Sequence, residues 1–186
     1  KGYLEAITWS FTDSKIDKYF SNGKKDIEIT NPISSDLNVL RQSIFSNLII
    51  YLKKNQDRGY LDVSLFEIGP TFSGNKPGDQ QTVIGGLKSG VTNRKSWDSK
   101  ARNIDVFDIK ADVTKTLTEL GINENDLFIS DKTPNYYNPV RSGSVKLKSE
   151  NGIQLAIFGE IHPGIISSLD LKEQNICGFE IFLKNI

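Results

Sequence analysis

The segment from residue 31 to residue 69 constrains the fold of this 186-residue chain more than any other part. Asn31-Pro32 ends the structure before it, because proline restricts the preceding residue and has no amide hydrogen to donate. The apolar residues that follow have the spacing of a half-buried helix, with Ser43 as its predicted N-cap and Gly59 at its end. These apolar residues are Ile44, Phe45, Leu48, Ile49 and Leu52. A buried strand at 63–68 completes a succession of loop, amphipathic helix and strand.

Short strands joined by turns make up most of the remaining chain. Apolar runs predict strands at 4–10, 26–30, 82–87, 127–129, 144–148, 153–160 and 176–183. Helices are predicted at 14–20, 106–120 and 163–169, the first beginning after Asp13 and the second ending at Gly121. Loops are predicted at 72–80, 93–102 and 133–139, and Asn151-Gly152 predicts a two-residue hairpin turn. This order predicts an α+β fold in which helices flank an antiparallel sheet.

Length and charge limit the classes of function. A chain of this length is expected to form one domain that spans residues 1–186. Lys+Arg 23 balance Asp+Glu 23, so no global field attracts nucleic acid or an anionic membrane, and a plain RNA-binding module is disfavoured. No apolar run approaches the roughly 18 residues of a membrane span. The single cysteine, Cys177, is expected to be a buried core thiol in a reducing, cytoplasmic setting.

Two glutamates interrupt apolar strands and therefore need partners. Glu67 and Glu160 each stand in an apolar run, where a charged carboxylate without a partner would be costly. Arg41 and Arg141 can supply those partners, since a guanidinium pairs well with a carboxylate. We expect these four residues to form structural salt bridges rather than a catalytic site.

The aspartates of the second large helix have two interpretations. Asp105, Asp108 and Asp112 are spaced so that they could bind a metal ion, but carboxylates at the start of a helix also favour its dipole. We prefer capping or solvated carboxylates. His162 has no second histidine for a metal site, and we expect it to cap the short helix or to bond a nearby carbonyl. No catalytic, cofactor-binding or metal-binding residue is therefore predicted.

Three basic residues lie near the end of the first large helix. Lys53, Lys54 and Arg58 can contact RNA phosphates, because a basic helix end is a common backbone contact. The same residues also complement the negative end of the helix dipole. We prefer the dipole interpretation and keep the RNA contact as the alternative.

Several short strings, in the same order along the chain, resemble the C-terminal half of the bacterial phenylalanyl-tRNA synthetase beta subunit. Residues 2–11 are similar to a strand of that family. Residues 31–35 and 40–43 resemble its Asn-Pro-Ile-Ser and Met-Arg-Thr-Ser strings, which precede a leucine-rich helix. Residues 65–69, 107–110 and 159–163 resemble its Leu-Phe-Glu-Ile-Gly, Phe-Asp-Leu-Lys and Gly-Glu-Leu-His-Pro. Departures occur at Ala111, Ser46 and 138–141, where the family has glycine, proline and His-Pro-Gly-Arg.

The resemblance implies a catalytic-like domain with the antiparallel core of class II aminoacyl-tRNA synthetases but without their active site. It implies that the chain is part of a longer beta subunit whose dimerisation helix, editing region and anticodon-binding region lie outside these residues. The implied partner is the alpha subunit, which activates phenylalanine in a cytoplasmic alpha2-beta2 enzyme that charges tRNA(Phe). ATP and magnesium would bind elsewhere in that enzyme, and no cofactor is expected here.

The strands that correspond to class II ATP-binding motifs lack arginine. Such a site neutralises ATP phosphates with arginines, but neither 66–69 nor 178–182 contains one. We therefore expect no adenylate formation by this chain and interpret it as a scaffold for the alpha subunit. The alternatives are a free-standing ATP-dependent ligase-like paralogue and a module that contacts tRNA.

Overall fold

The computed structural model describes residues 2–92, 97, 100–172 and 175–186. Its strands are β1 (Leu4–Glu5), β2 (Phe11–Thr12), β3 (Val39–Leu40), β4 (Val63–Phe72), β5 (Gln80–Ser89), β6 (Leu127–Ser130), β7 (Tyr137–Leu147), β8 (Gln154–Ile161) and β9 (Ile176–Phe182). Its α-helices are α1 (Ser14–Phe20), α2 (Phe45–Asp57), α3 (Val106–Glu119) and α4 (Pro163–Ser168). Short 3-10 helices span Glu124–Asp126 and Leu183–Asn185.

A seven-stranded sheet in the order β1-β4-β5-β9-β8-β7-β6 organises the described residues. Its pairings are antiparallel except that β1 runs parallel to β4, and β2 pairs with β3 in a separate ribbon. Helix α2 contacts β4 and β5, whereas α3 contacts β8 and β9. The predicted α+β fold, an antiparallel sheet flanked by helices, is confirmed.

The side chains of each strand point alternately to the two faces of the sheet, and the apolar core is therefore divided between these faces. On β9, Ile176 joins the cluster around α2, and its neighbour Cys177 joins the cluster around α3. Successive strand residues point to opposite faces, so α2 and α3 cover different sides. Cys177 is fully buried, and burial together with the nearby Glu160 raises the pKa of its thiol, as expected for a core cysteine.

The predicted helices form close to their expected bounds, because capping residues stand at their ends. Asp13 accepts a hydrogen bond from the Lys15 amide at the start of α1. The Nδ1 atom of His162 accepts one from the Gly164 amide at 3.1 Å, so the capping prediction for His162 is confirmed.

Among the helices of the described segments, none combines the length and apolar character that a membrane crossing requires.

Two predicted strands at the start of the chain were wrong. Segment 4–10 forms only β1 before the chain leaves the sheet, and 26–30 forms an isolated bridge between Glu28 and Val39. The second segment lies between the left-handed turn at Gly23 and Asn31-Pro32, which leaves space for only a few ladder bonds. The predicted loop at 93–102 falls largely on residues outside those described.

Other strands extend further than predicted. β4 and β5 pair as far as Phe72 and Gln80, so the predicted loop at 72–80 shrinks to the hairpin tip between them. β7 begins at Tyr137, inside the predicted loop at 133–139. The β7–β8 connection spans 148–153 rather than two residues, and Lys148 adopts the left-handed conformation. Gly152 does not adopt this conformation. Glycine is required there for a different reason, because a Cβ atom would collide with the Leu147 carbonyl oxygen.

Candidate functional site

Two buried glutamates face the N-terminus of α2 from the centre of the sheet. Gly85 on β5 pairs with Glu67 on β4 and with Glu180 on β9, so the three residues form one row across the sheet. Residues paired directly across strands share a face. Both carboxylates therefore lie on the face of the sheet that α2 covers. The loop that precedes α2 supplies hydrogen-bond donors to both of them.

The first carboxylate, Glu67, binds a buried guanidinium. Arg41 Nη1 lies 2.8 Å from Glu67 Oε1, and the two side chains are 1% and 5% exposed. Arg41 also donates to Thr8 Oγ1 at 2.8 Å and, through Nε, to the Pro70 carbonyl at 2.9 Å. Thr8 in turn donates to Glu67 Oε2 at 2.8 Å. The structure thus pairs Glu67 with Arg41, one of the two arginines expected to supply a partner, and the guanidinium connects the segments of residues 8, 41 and 67–70.

The second carboxylate, Glu180, binds the helix terminus. Its Oε1 accepts hydrogen bonds from the Ser43 hydroxyl and the Ile44 amide, both at 2.8 Å, and its Oε2 accepts one from Tyr136 at 3.3 Å. Burial raises the pKa of Glu180, although these donors and the nearby Arg41 act in the opposite direction. Ser43, the predicted N-cap, precedes the observed cap residue Ile44 and also accepts from the Phe45 amide at 3.1 Å.

Side chains from α2 pack directly onto the backbone of this part of the sheet. A Cβ atom on Gly85 would lie 2.6 Å from Ile44 Cγ2, and one on Gly178 would lie 2.7 Å from Phe45 Cε1. The Phe45 ring makes edge contacts with Tyr136 and Tyr137, at centroid distances of 5.9 and 6.0 Å. The surface over β4, β5 and β9 is therefore filled by the chain itself.

The other two predicted salt-bridge residues, Arg141 and Glu160, lie nearer the surface. Arg141 Nη1 is 3.1 Å from Glu160 Oε2, with the two side chains 58% and 10% exposed. The structure brings these two residues together as well. The larger exposure of Arg141 reduces the energy that this contact can supply.

The three basic residues considered for RNA binding have different environments. Lys53 Nζ lies 3.4 Å from Asp170 and 3.6 Å from Asp57, and it donates to the Asp170 carbonyl at 2.8 Å. Lys54 Nζ lies 4.9 Å from the centre of the Tyr51 ring, and Arg58 is the exposed C-cap of α2. Nearby carboxylates therefore offset the charge of Lys53.

The aspartates of α3 serve as caps and ion-pair partners. Asp105 and Asp108 form a reciprocal capping box, and Arg102 binds Asp108, which lowers the pKa of that carboxyl. Asp112 is buried and accepts from Lys88 at 2.6 Å and from Tyr3 at 2.8 Å, so the expectation of a capping or solvated group was wrong for it. Within the described segments, no group of three or more metal-ligating side chains could hold an ion.

Sequence reasoning missed Glu180, Ser43 and Tyr136 as one cluster. Glu180 carries the same signal as Glu67, a single acid within an apolar strand. Its partners are a hydroxyl, a backbone amide and a phenol from distant segments, and none of them is a cation. A search for oppositely charged partners could not find them.

Comparison with known proteins supports this architecture. A pyrrolysyl tRNA synthetase from Desulfitobacterium hafniense superposes with a TM-score of 0.66 at 13% identity, covering 98% of this chain and 61% of that one. This likeness shows that the two chains share a fold. The chain is 40% identical over 184 residues to the phenylalanine–tRNA ligase beta subunit of Paramagnetospirillum magneticum, and 42% identical over 183 residues to that of Rhodospirillum rubrum.

The match covers nearly all of this chain but only part of each relative. It takes in 99% and 98% of this chain and 23% and 22% of the two beta subunits. Residues 1–183 also match the family model described as the phenylalanyl tRNA synthetase beta chain CLM domain. These matches, which cover nearly the whole chain, establish that the chain belongs to that family.

Proposed function

We propose that this chain is the non-catalytic core domain of a phenylalanine–tRNA ligase beta subunit and that it holds the catalytic alpha subunit in place. The whole enzyme would charge tRNA(Phe) with phenylalanine using ATP and magnesium bound elsewhere. The chain spans less than a quarter of the beta subunits that it matches, so this role is one part of a larger protein. The cytoplasm is the compartment we expect for it.

The filled surface over β4, β5 and β9 is the observation that carries the proposal. ATP binding by a class II core requires space for the nucleotide and cations for its phosphates. Ile44 and Phe45 occupy that space, and neither β4 nor β9 contains an arginine. Arg41, which reaches this face, is already bound to Glu67. These contacts favour a scaffold over a free-standing ATP-dependent ligase.

A surface for the partner lies at the β1 edge of the sheet. Leu4 is exposed on β1 and Ile7 just beyond it, and Ile68 is exposed on the neighbouring β4, on the face opposite to Leu4. Apolar side chains grouped at a sheet edge are typical of protein interfaces. We assign the contact with the alpha subunit to this edge.

The interface is tested by co-purification of the chain with an alpha subunit of phenylalanine–tRNA ligase. Ile7→Asp should abolish retention of the alpha subunit, because an aspartate at the centre of an apolar contact would be desolvated without a partner. Val140→Asp is the matched control, since Ile7 and Val140 are both 89% exposed. Failure of the parent chain to retain the alpha subunit, or equal loss in both variants, would contradict the proposal.

Catalytic inactivity has a separate test. The isolated chain should give no phenylalanine-dependent exchange between ATP and pyrophosphate, while the assembled enzyme should give it. Exchange by the isolated chain would favour the ligase-like alternative. A tRNA-contacting role predicts salt-sensitive tRNA binding that Lys53→Glu weakens, and we expect no such change because Asp57 and Asp170 already offset this lysine.

A further inference from the structure

A groove of about 640 Å³ lies between α1, α2 and the residues that follow α4. Its lining includes Trp9, Phe11, Leu37, Ile50, Tyr51 and Leu169. Its lining includes neither Leu4, Ile7 and Ile68 of the β1 edge nor Ile44 and Phe45 over the central strands. The groove therefore needs an explanation that the scaffold role does not supply.

Two aromatic residues of the groove, Trp9 and Phe11, stack on each other. The Trp9 ring stacks on Phe11 with a centroid distance of 6.4 Å and an interplanar angle of 13°. Trp9 is nevertheless 60% exposed, and Tyr51 is also exposed beside it. A large aromatic side chain that is already ordered loses little entropy on binding, which is typical of residues that dominate an interface.

The charges around the groove are predominantly negative. Asp13, Asp36, Asp57 and Asp170 line it together with Lys53 and Lys54. Four aspartates against two lysines leave an excess of two negative charges, although the whole chain is neutral. Lys53 is engaged by Asp57 and Asp170, and Lys54 lies over Tyr51. This arrangement repels phosphate and attracts cations.

We propose that this groove binds a cationic amphipathic segment of a partner polypeptide, with apolar side chains against Trp9 and Tyr51 and lysine or arginine facing the aspartates. Apolar lining alone would accept many segments, and the acidic rim supplies the selectivity. The proposal does not depend on assembly with the alpha subunit, so either one can fail without the other.

Fluorescence anisotropy with a labelled synthetic peptide tests the proposal directly. The probe is a leucine–lysine peptide of about 14 residues with leucines at helical spacing, long enough to form a helix. A second peptide carries glutamate in place of every lysine. The parent chain should bind the lysine peptide with an affinity that falls as salt rises, and it should not bind the glutamate peptide.

Variants locate the binding. Trp9→Ala should weaken binding at least about tenfold, the usual effect of truncating a central aromatic anchor. Asp36→Lys should weaken it about fivefold and reduce its salt dependence. Phe107→Ala and Asp131→Lys are the matched controls, because Phe107 is a 71% exposed aromatic on α3 and Asp131 is an exposed aspartate distant in sequence from the groove. Circular dichroism of each variant confirms that it is folded.

Four outcomes would overturn the proposal. They are no binding of the lysine peptide, equal binding of both peptides, a loss with Phe107→Ala as large as that with Trp9→Ala, and unchanged binding by Asp36→Lys. Sedimentation of the parent alone supplies one further test. A dimer that Trp9→Ala dissociates would assign the groove to a second copy of the chain and would also overturn the proposal.

Discussion

Replacing Arg41 with alanine tests how much the buried pair with Glu67 stabilises the fold. The substitution removes a side chain that is 1% exposed and leaves Glu67, 5% exposed, without its cation. It also leaves the Pro70 carbonyl without the Nε donor and removes a hydrogen bond to Thr8. A buried charge and a buried acceptor thus lose their partners together, in addition to the cavity that forms.

The expected loss in the free energy of unfolding is about 4 kcal/mol, the typical cost of removing one partner from a buried ion pair. For a chain of this length, that loss corresponds to a fall in melting temperature of about 12 °C. Arg141→Ala is the matched control: its side chain is 58% exposed, so the loss should stay near 1 kcal/mol.

Urea denaturation monitored by tryptophan fluorescence and circular dichroism measures both losses, provided that the two signals coincide. A double variant replaces both partners with apolar residues, Arg41→Met with Glu67→Leu. It should recover most of the stability that Arg41→Ala loses, because no buried charge remains. If Arg41→Ala melts at the temperature of the parent, the pairing does not stabilise the fold and the reasoning is wrong.

Three further substitutions probe the same framework. Burial raises the pKa of Glu180 above 4.5, so the folded state holds the proton more tightly and the contribution of this residue to stability falls as the pH rises above about 4.5. Relative to Glu180→Gln, the parent should therefore gain stability in urea titrations as the pH is lowered from neutral towards about 4.5, and a constant difference would contradict this. Asp105→Ala should cost about 1 kcal/mol through the lost cap of α3, with Asp131→Ala as a neutral control, and equal urea midpoints would exclude the cap. Gly85→Ala should cost about 2 kcal/mol by forcing Ile44 away from the sheet, and an unchanged urea midpoint would show that Ile44 moves freely.

Local signals predicted the elements whose ends are determined by neighbouring residues. Asp13 begins α1, and the Asp105–Asp108 capping box begins α3, because a cap depends on residues only two or three positions apart. The prediction of a two-residue turn at Asn151-Gly152 was wrong, since the glycine permits close packing against Leu147 rather than a left-handed turn. An Asn-Gly pair looks the same in a sequence whether the glycine serves a left-handed turn or close packing, and only the packing distinguishes the two roles.

Strand lengths depended on contacts that no short window contains. The polar ends of β4 and β5 pair as far as Phe72 and Gln80 because each supplies the other's ladder bonds. Segment 26–30 has the stronger apolar pattern but finds only the short β3 as a partner. Strand propensity describes how a residue fits a pleated surface, and a surface must be present for the strand to form.

The sequence could predict the part of the candidate site in which a cation pairs with a carboxylate. A lone acid in an apolar run required a cation, and Arg41 was one of the two arginines expected to supply it. Glu180 is separated from Ser43 by 137 residues, and its partners bear no formal charge. Only the register that places Gly85 opposite both glutamates reveals that the two acids form one site.

The N-terminus of α2 is occupied by a carboxylate of the chain itself. A helix N-terminus presents free amides and the positive end of a dipole, and it readily binds an anion such as phosphate. Here the anion belongs to the chain: Glu180 accepts from the Ile44 amide and the Ser43 hydroxyl at 2.8 Å. A phosphate at this position would have to displace a buried carboxylate and separate Ile44 and Phe45 from the glycine backbone. The contacts that anchor α2 to the sheet are thus also the contacts on which the proposed scaffold role rests.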